Sequence, residues 1–201
     1  MQGQDPYRFI HEVDSLSKLH ISHHAGSRVI LFTGSSSIKL WNDAWKYFPG
    51  RTIINTGFGG SHMSDLLFFL DELVFRYSPD QVIIYEGDND LASGKEPATI
   101  MKDAERIVAQ LQDRLPGIKI ALISAKPSLA RWELKENYKQ LNRLIREYAE
   151  KKDDVEFIDI WPLMLDEKNE PGQGLFLEDG LHMNKAGYDL WAGEIEKILI
   201  K

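Results

Sequence analysis

The chain is predicted to form a three-layer α/β/α domain, in which helices cover both faces of a parallel β-sheet. Two observations predict this class. Short apolar runs of strand length alternate along the 201 residues with longer segments whose apolar residues recur every three or four positions. The short runs are rich in β-branched residues and apolar on both faces, as strands are when a parallel sheet is buried between helix layers.

Each apolar run and each helical stripe can be assigned to an element. Ser61 or Ser64 is expected to start the first core helix, and Asn184 is expected to cap the last one. The whole chain, 1–201, is expected to be one domain, with residues 5–20 as an additional N-terminal helix. The predicted strands are 28–33, 52–55, 81–86, 119–124 and 155–158, and the helical stripes span 63–74, 100–115, 134–148 and 188–199.

The composition excludes several classes of protein. The chain has 24 Lys and Arg against 31 Asp and Glu, a formal charge of −7, and no basic stretch, so no binding to nucleic acid is expected. It has no cysteine, which rules out disulfides, thiolate catalysis and Cys-bound metal. No apolar run approaches the ~20 residues of a membrane-spanning helix.

The start of the chain lacks the pattern of a signal peptide, in which a basic region precedes an apolar one. The protein is therefore expected to be soluble, either cytoplasmic or secreted with its signal already removed, and a homo-oligomer is left open. His20, His23 and His24 lie close together in sequence. Acidic partners at metal-ligand spacing do not accompany them, so solvated side chains are expected there rather than a metal site.

Polar and glycine residues follow three of the predicted strands. Ser36 follows the first strand, Gly60 the second and Asn89 the third. Because the carboxyl ends of parallel strands meet at one edge of the sheet, all three residues are expected at that edge. Asp179 and His182 follow the last strand in a loop that can fold over the same edge. The sequence therefore predicts one site built from distant segments.

The residue types at this edge suit acyl transfer by a serine. An Asp three residues before a His can hold one ring nitrogen and leave the other free to face a hydroxyl. Among three consecutive serines, Ser36 is chosen because it lies two residues after the turn glycine, Gly34, where a helix N-terminus favours a nucleophile. The N–H groups of Ser36 and Gly60 and the side-chain amide of Asn89 are expected to bind the oxyanion.

Each of these elements also has an alternative interpretation. Gly34 and the serines can form a flexible turn in which Ser37 caps the following helix, and Asp179 can make only an Asx turn. A non-catalytic module that binds a nucleotide or another anion through 34–37 and 57–60 is a hypothesis of a different class. Neither loop contains Gly-Lys-Ser/Thr or G-x-G-x-x-G, and this module leaves the Asp and His without a role.

Four short blocks resemble, in the same order, those of the SGNH hydrolases, the superfamily that includes the GDSL esterases and lipases. The blocks are 32–37, 55–60, 87–89 and 179–182. The resemblance implies Ser36 as nucleophile, His182 as base and Asp179 as acid, with Gly60 and Asn89 as oxyanion donors. The spacing between the second and third blocks is similar to that of the branch containing platelet-activating-factor acetylhydrolase subunits.

Membership in this superfamily implies a flavodoxin-like sheet of five parallel strands in the order 2-1-3-4-5. It also implies a serine hydrolase that uses neither a metal nor a cofactor. One position departs from the family pattern, because Ser35 stands where the first block usually has Asp. That Asp is not the acid of the triad, so the implied mechanism is unchanged.

The predicted activity is hydrolysis of a small-molecule carboxylic ester through an acyl-enzyme. Because His182 must be neutral to accept the serine proton, activity is expected to rise with pH as the imidazole loses its proton. No long apolar lid segment is present, which favours short-chain or acetyl esters, including those on carbohydrate. A lysophospholipase acting on lipid is the alternative.

Arg131, Trp132 and His62 are the candidates for substrate binding. Arg131 and Trp132 come soon after the fourth strand, where a cation can meet an anionic or sugar substrate, and His62 is close to Gly60. The alternative is that Trp132 packs under a loop, Arg131 starts a helix, and His62 faces solvent at a helix start.

Overall fold

The computed structural model describes residues 5–19 and 28–200, so His20, His23 and His24 lie outside the described residues. A five-stranded sheet forms the centre of the fold, with helices on both faces. The strands are β1 Val29–Gly34, β2 Thr52–Asn55, β3 Gln81–Tyr85, β4 Lys119–Ile123 and β5 Val155–Ile158. All neighbouring strands are parallel and their spatial order is β2-β1-β3-β4-β5, which confirms the predicted fold class and strand order.

The first six helices along the chain are short and the last three are long. They are α1 Ile10–Leu16, α2 Ser36–Lys39, α3 Ala44–Tyr47, α4 Met63–Phe68, α5 Leu70–Leu73, α6 Asp88–Ala92, α7 Pro97–Arg114, α8 Lys135–Ala149 and α9 Lys185–Glu196. Short 3₁₀ turns occur at Pro6–Phe9, Phe75–Tyr77, Leu129–Leu134, Pro162–Met164 and Gln173–Leu175. No helix within the described residues is long and apolar enough to cross a lipid bilayer.

The start of α4 corrects one expectation from the sequence. The helix begins at Met63 with His62 as its N-cap, and the Asp65 carboxylate accepts the His62 N–H at 2.9 Å. The expectation that Ser61 or Ser64 starts this helix is wrong, because the Ser61 hydroxyl is bound elsewhere. The expected cap of α9 is confirmed, since the Asn184 side chain accepts backbone N–H groups of the first helical turn.

Alternate side chains of the strands pack into two cores, one on each face of the sheet. Leu31 of β1 packs with α4, α5, α7 and α8, whereas Phe32 packs with α2 and α9. In the second core Trp41 stacks on Tyr188 of α9 with ring centroids 5.1 Å apart, and the Tyr188 hydroxyl donates to Ser37 O at 2.9 Å. These contacts fix the segment after β1 against α9, the helix that follows the loop containing His182.

The N-terminal helix α1 packs against the loop that follows β2. Phe9, just before α1, meets the ring of Phe58 edge to face at 5.1 Å. Glu12 accepts the Gly59 N–H at 3.3 Å and forms an ion pair with Lys39 at 2.9 Å. The helix therefore contacts the outer side of the loop that also contains Gly60.

Candidate active site

The first strand ends in a turn that requires glycine. Gly34 has φ +130°, and a Cβ at this position would lie 1.9 Å from the carbonyl oxygen of Tyr85 in β3. Ser35 N–H donates to that same carbonyl at 3.0 Å. The turn places Ser36 as the first residue of α2. The expectation that Ser37 caps this helix is wrong, because the helix has already begun at Ser36 and Ser37 lies inside it.

Of the three consecutive serines, Ser36 is the one that reaches the sheet edge. Ser35 and Ser37 are buried, with 1% and 2% of their surface exposed, whereas Ser36 is partly exposed. The Ser36 Oγ lies 3.0 Å from His182 Nε2. As the first N–H of a helix, the Ser36 N–H has no acceptor within the helix, and none is found elsewhere among the described residues.

His182 and Asp179 lie in a tight loop closed by an antiparallel bridge between Phe176 and Met183. The Asp179 Oδ1 accepts the N–H groups of Leu181 and His182, both at 2.9 Å. The Asp179 Oδ2 lies 2.6 Å from His182 Nδ1. The carboxylate thus makes an Asx turn with one oxygen and holds the imidazole with the other, so the two interpretations of Asp179 are compatible.

The Asp179 carboxylate is ionised at neutral pH. The hydrogen bond from the Leu181 N–H, followed by that from the His182 side chain, lowers the pKa of Asp179 to about 2. An anionic acceptor keeps the proton on His182 Nδ1 and leaves the Nε2 lone pair to accept from the Ser36 hydroxyl. Carboxylate, imidazole and hydroxyl therefore form a continuous series of contacts suited to general-base chemistry.

Asn89 lies in the first turn of α6, just after β3. Its Nδ2 donates to Ser61 O at 2.9 Å, and its Oδ1 accepts from Arg131 Nη2 at 3.1 Å. These two bonds fix the orientation of the amide. Since an amide nitrogen carries two hydrogens, one N–H remains for an acceptor in the site.

Gly60 lies in the turn that follows β2, with φ +81°. A Cβ there would meet no atom within 4 Å, so glycine serves the left-handed backbone conformation rather than a close approach. Gly60 is exposed, and its N–H makes no hydrogen bond within the described part of the chain. The position thus offers a second backbone donor after a strand end.

Asp88 is a buried carboxylate that holds the neighbouring cations in place. It lies 3.2 Å from Lys126 Nζ and also accepts hydrogen bonds from the Arg131 guanidinium and the Tyr138 hydroxyl. Burial alone would raise the pKa of Asp88, but Lys126 and then Arg131 outweigh it and bring that pKa well below its usual range. Asp88 therefore anchors Arg131, and Arg131 in turn orients Asn89.

The three predicted substrate residues are placed in different surroundings. The Arg131 guanidinium is held by Asp88 and Asn89, within a 3₁₀ turn rather than at a helix start. Trp132 stacks on Trp161 with centroids 5.9 Å apart. His62 is buried, not solvent-facing, with 6% of its surface exposed. Substrate binding by Arg131, Trp132 and His62 stays a prediction.

Sequence reasoning did not identify Asp88 or Tyr138 as neighbours of the site, nor the pairing of Asp88 with Lys126. Two signals pointed to them, since Asp88 follows β3 and Lys126 follows β4 at the same sheet edge. Their pairing was not visible, because the two residues are 38 positions apart in the chain. In residues 5–19 and 28–200, no group of three or more His, Asp or Glu side chains is arranged to hold a metal ion.

Comparison with known proteins identifies the family and the fold. Residues 24–190 match the model of the GDSL-like lipase/acylhydrolase family, and no curated protein matches the chain. The fold is similar to that of a candidate platelet activating factor from Streptococcus pneumonia, at 23% identity and a TM-score of 0.84, covering 95% of this chain and 92% of that one.

Two further solved structures share the fold. A GDSL-like lipase from Bacteroides thetaiotaomicron is 21% identical with a TM-score of 0.75, covering 96% of each chain. A catalytic mutant of an acetylxylan esterase from Geobacillus stearothermophilus is 17% identical with a TM-score of 0.68, covering 86% of this chain and 94% of that one. The family match spans most of the sequence, including Ser36 and His182. The chain therefore belongs to the GDSL-like lipase/acylhydrolase family and is an enzyme of the esterase and lipase class.

Proposed function

We propose that the protein is a serine esterase that hydrolyses short-chain or acetyl esters through a Ser36 acyl-enzyme. The supporting observation is the series of contacts from Asp179 Oδ2 to His182 Nδ1 at 2.6 Å and from His182 Nε2 to Ser36 Oγ at 3.0 Å. A nucleophile, a base and a group that orients the base are the three parts that this chemistry needs.

The reaction begins when His182 Nε2 takes the hydroxyl proton and Ser36 Oγ attacks the ester carbonyl. The oxyanion accepts hydrogen bonds from the N–H groups of Ser36 and Gly60 and from the second N–H of the Asn89 amide. His182 then gives its proton to the leaving alcohol as the ester C–O bond breaks. A water molecule, deprotonated by His182, attacks the acyl group and releases the acid and the free serine.

The exposure of the site favours small acyl groups. The side chains of His182 and Asp179 are 26% and 47% exposed. Surface cavities of about 440, 420, 300 and 260 Å³, formed by the described residues, are lined by neither His182 nor Ser36. An acetyl group needs no deep cavity, whereas a long acyl chain needs apolar surface to cover it. The acetylxylan esterase among the similar structures makes acetylated carbohydrate a reasonable class to test.

Two exposed leucines beside the catalytic loop favour lysophospholipid as a second candidate substrate. Leu129 and Leu177 are 39% and 50% exposed, and both lie near Gly180. An apolar rim can contact a longer acyl chain or a lipid surface. Acyl-length preference therefore decides between the two candidates.

The test is a panel of p-nitrophenyl esters with acetyl, butyryl, octanoyl and lauroyl groups, together with acetylated xylan and lysophosphatidylcholine. The wild-type protein is expected to prefer the acetyl and butyryl esters, and the Ser36→Ala variant to give only background. Preference for lauroyl ester or lysophosphatidylcholine would favour the second candidate. Background rates on every substrate would contradict the proposed function.

Asn89→Ala is expected to lower kcat about 10²- to 10³-fold, because it removes one side-chain donor to the oxyanion. KM is expected to change little, since the donor acts on charge that develops during the reaction. Steady-state kinetics on p-nitrophenyl acetate measure both constants. Ser93→Ala, at the other end of the same helix, is the matched control, and a kcat for Asn89→Ala close to the control value would contradict the assignment.

A further inference from the structure

We infer that Glu86 is a positioning residue: as a neutral carboxylic acid, it donates a hydrogen bond to the Ser61 hydroxyl and so holds the turn that presents the Gly60 N–H. Glu86 is the residue that follows β3. It is buried beside Ser61 and is therefore not among the groups that touch substrate. The inference rests on the proposed function, and no sequence pattern had indicated Glu86 as part of the site.

The hydrogen-bonding pattern around Ser61 is fully satisfied when Glu86 carries a proton. Ser61 Oγ lies 2.5 Å from Glu86 Oε1 and 2.9 Å from Phe58 O, and all three residues are buried. A carbonyl oxygen only accepts, and a hydroxyl has a single hydrogen to donate. Both contacts are satisfied when Ser61 donates to Phe58 O and the Glu86 acid group donates to Ser61.

The charges around Glu86 also favour its neutral form. Among the described residues no cation pairs with it, and its Oε2 has no hydrogen-bond partner. The facing carboxylates of Asp90 and Asp65 already pair with Lys95 and Arg8. Burial, and next the charge of Asp90, raise the pKa of Glu86 well above its usual range. An ionised carboxylate with an unpartnered oxygen would be far more costly in this interior.

Ser61 connects the two oxyanion donors that lie outside α2. Its hydroxyl closes the Phe58 to Ser61 turn that contains Gly60, and its carbonyl accepts the Asn89 Nδ2 at 2.9 Å. A Cβ at Gly60 would meet no atom of the described residues within 4 Å, so the turn is held by its ends and by the Glu12 contact with the Gly59 N–H. A displacement of Ser61 therefore moves both donors. Because misplacement by about 1 Å can reduce a rate about 10²-fold, this support affects catalysis.

The test compares two replacements of Glu86. Gln has the same shape and its amide N–H donates to Ser61 as the acid does, so Glu86→Gln is expected to keep kcat within about threefold of wild type. Glu86→Ala removes the donor and is expected to lower kcat about 10- to 100-fold with little change in KM. Ser61→Ala is expected to give a similar loss of kcat. The double variant Glu86→Ala/Ser61→Ala is expected to lose no more than either single variant, because both changes remove the same hydrogen bond.

Ser36-dependent hydrolysis of p-nitrophenyl acetate is the assay, and Tm is measured for each variant. Ile107→Ala, a core replacement in α7, is the control for simple destabilisation and is expected to lower Tm without the loss in kcat. A Glu86→Gln variant as impaired as Glu86→Ala would overturn the inference, and so would wild-type kcat in Ser61→Ala. The Gln and Ser61 variants decide the matter even if Glu86→Ala does not fold. Failure of the proposed function is distinct, since the wild-type protein itself would then lack Ser36-dependent hydrolysis.

Discussion

Replacing Ser36 by Ala is expected to lower kcat about 10⁴-fold or more, as the loss of a serine nucleophile does in other triads. The replacement removes the one serine hydroxyl that lies 3.0 Å from His182 Nε2. Because Ser36 is partly exposed at the first position of a short helix, the Tm is expected to stay near the wild-type value. Residual hydrolysis is expected to come from the oxyanion donors alone.

Ser35→Ala and Ser37→Ala are the matched controls, because the three serines are consecutive. Their side chains are buried, and we expect both variants to keep kcat within about tenfold of wild type. A serine-directed fluorophosphonate should label the wild-type protein at Ser36, identified by peptide mass spectrometry, and should not label Ser36→Ala. Equal losses in all three variants, or labelling at another serine, would contradict the assignment. Absence of labelling would favour a non-catalytic binding module.

Replacing His182 by Ala is expected to lower kcat by a similar factor, about 10⁴-fold or more, because the base that accepts the serine proton is removed. The double variant Ser36→Ala/His182→Ala is expected to be no slower than either single variant, since nucleophile and base act as a unit. The measurement is kcat on p-nitrophenyl acetate for the three proteins. A double variant in which the two losses multiply would show that the residues act independently.

Added imidazole separates the two roles. It is expected to restore part of the activity of His182→Ala, because a free base can occupy the space that the ring leaves, and none of the activity of Ser36→Ala. Rescue of both variants by imidazole would contradict the assigned roles.

The Asp179 carboxylate, with its pKa lowered to about 2, stays ionised over the working pH range. Protonation of Asp179 therefore removes activity only as the pH falls toward that value.

The strands were predicted almost to the residue, whereas the helix starts were not. A strand of a covered parallel sheet is apolar on both faces, so β1 and β3 appear directly in the sequence as nearly continuous apolar runs. A helix start depends on which side chain is available to cap it. Ser61 was a reasonable candidate by residue type, but its hydroxyl is bound to Phe58 O and Glu86, and His62 caps α4 instead.

The networks that support the site were not predictable for a related reason. Asp88 meets Lys126 and Arg131 across 38 and 43 positions of the chain, and Glu86 meets Ser61 across 25. Residue type and position after β4 made Arg131 a candidate for substrate binding, a role that stays a prediction. Its guanidinium contacts Asp88 and Asn89, and those contacts arise only when the turn after β4 packs beside the end of β3.

The sequence by itself determined the fold class and the family, because periodicity, strand composition and short motif blocks are properties of neighbouring residues. The tertiary structure alone decided that Ser36 and His182, 146 positions apart, lie within hydrogen-bonding distance. It also decided which serine is exposed and which carboxyl group is buried without a cation. The physical reason is that burial and hydrogen-bond partners depend on segments brought together by packing, and no local pattern in the chain records them.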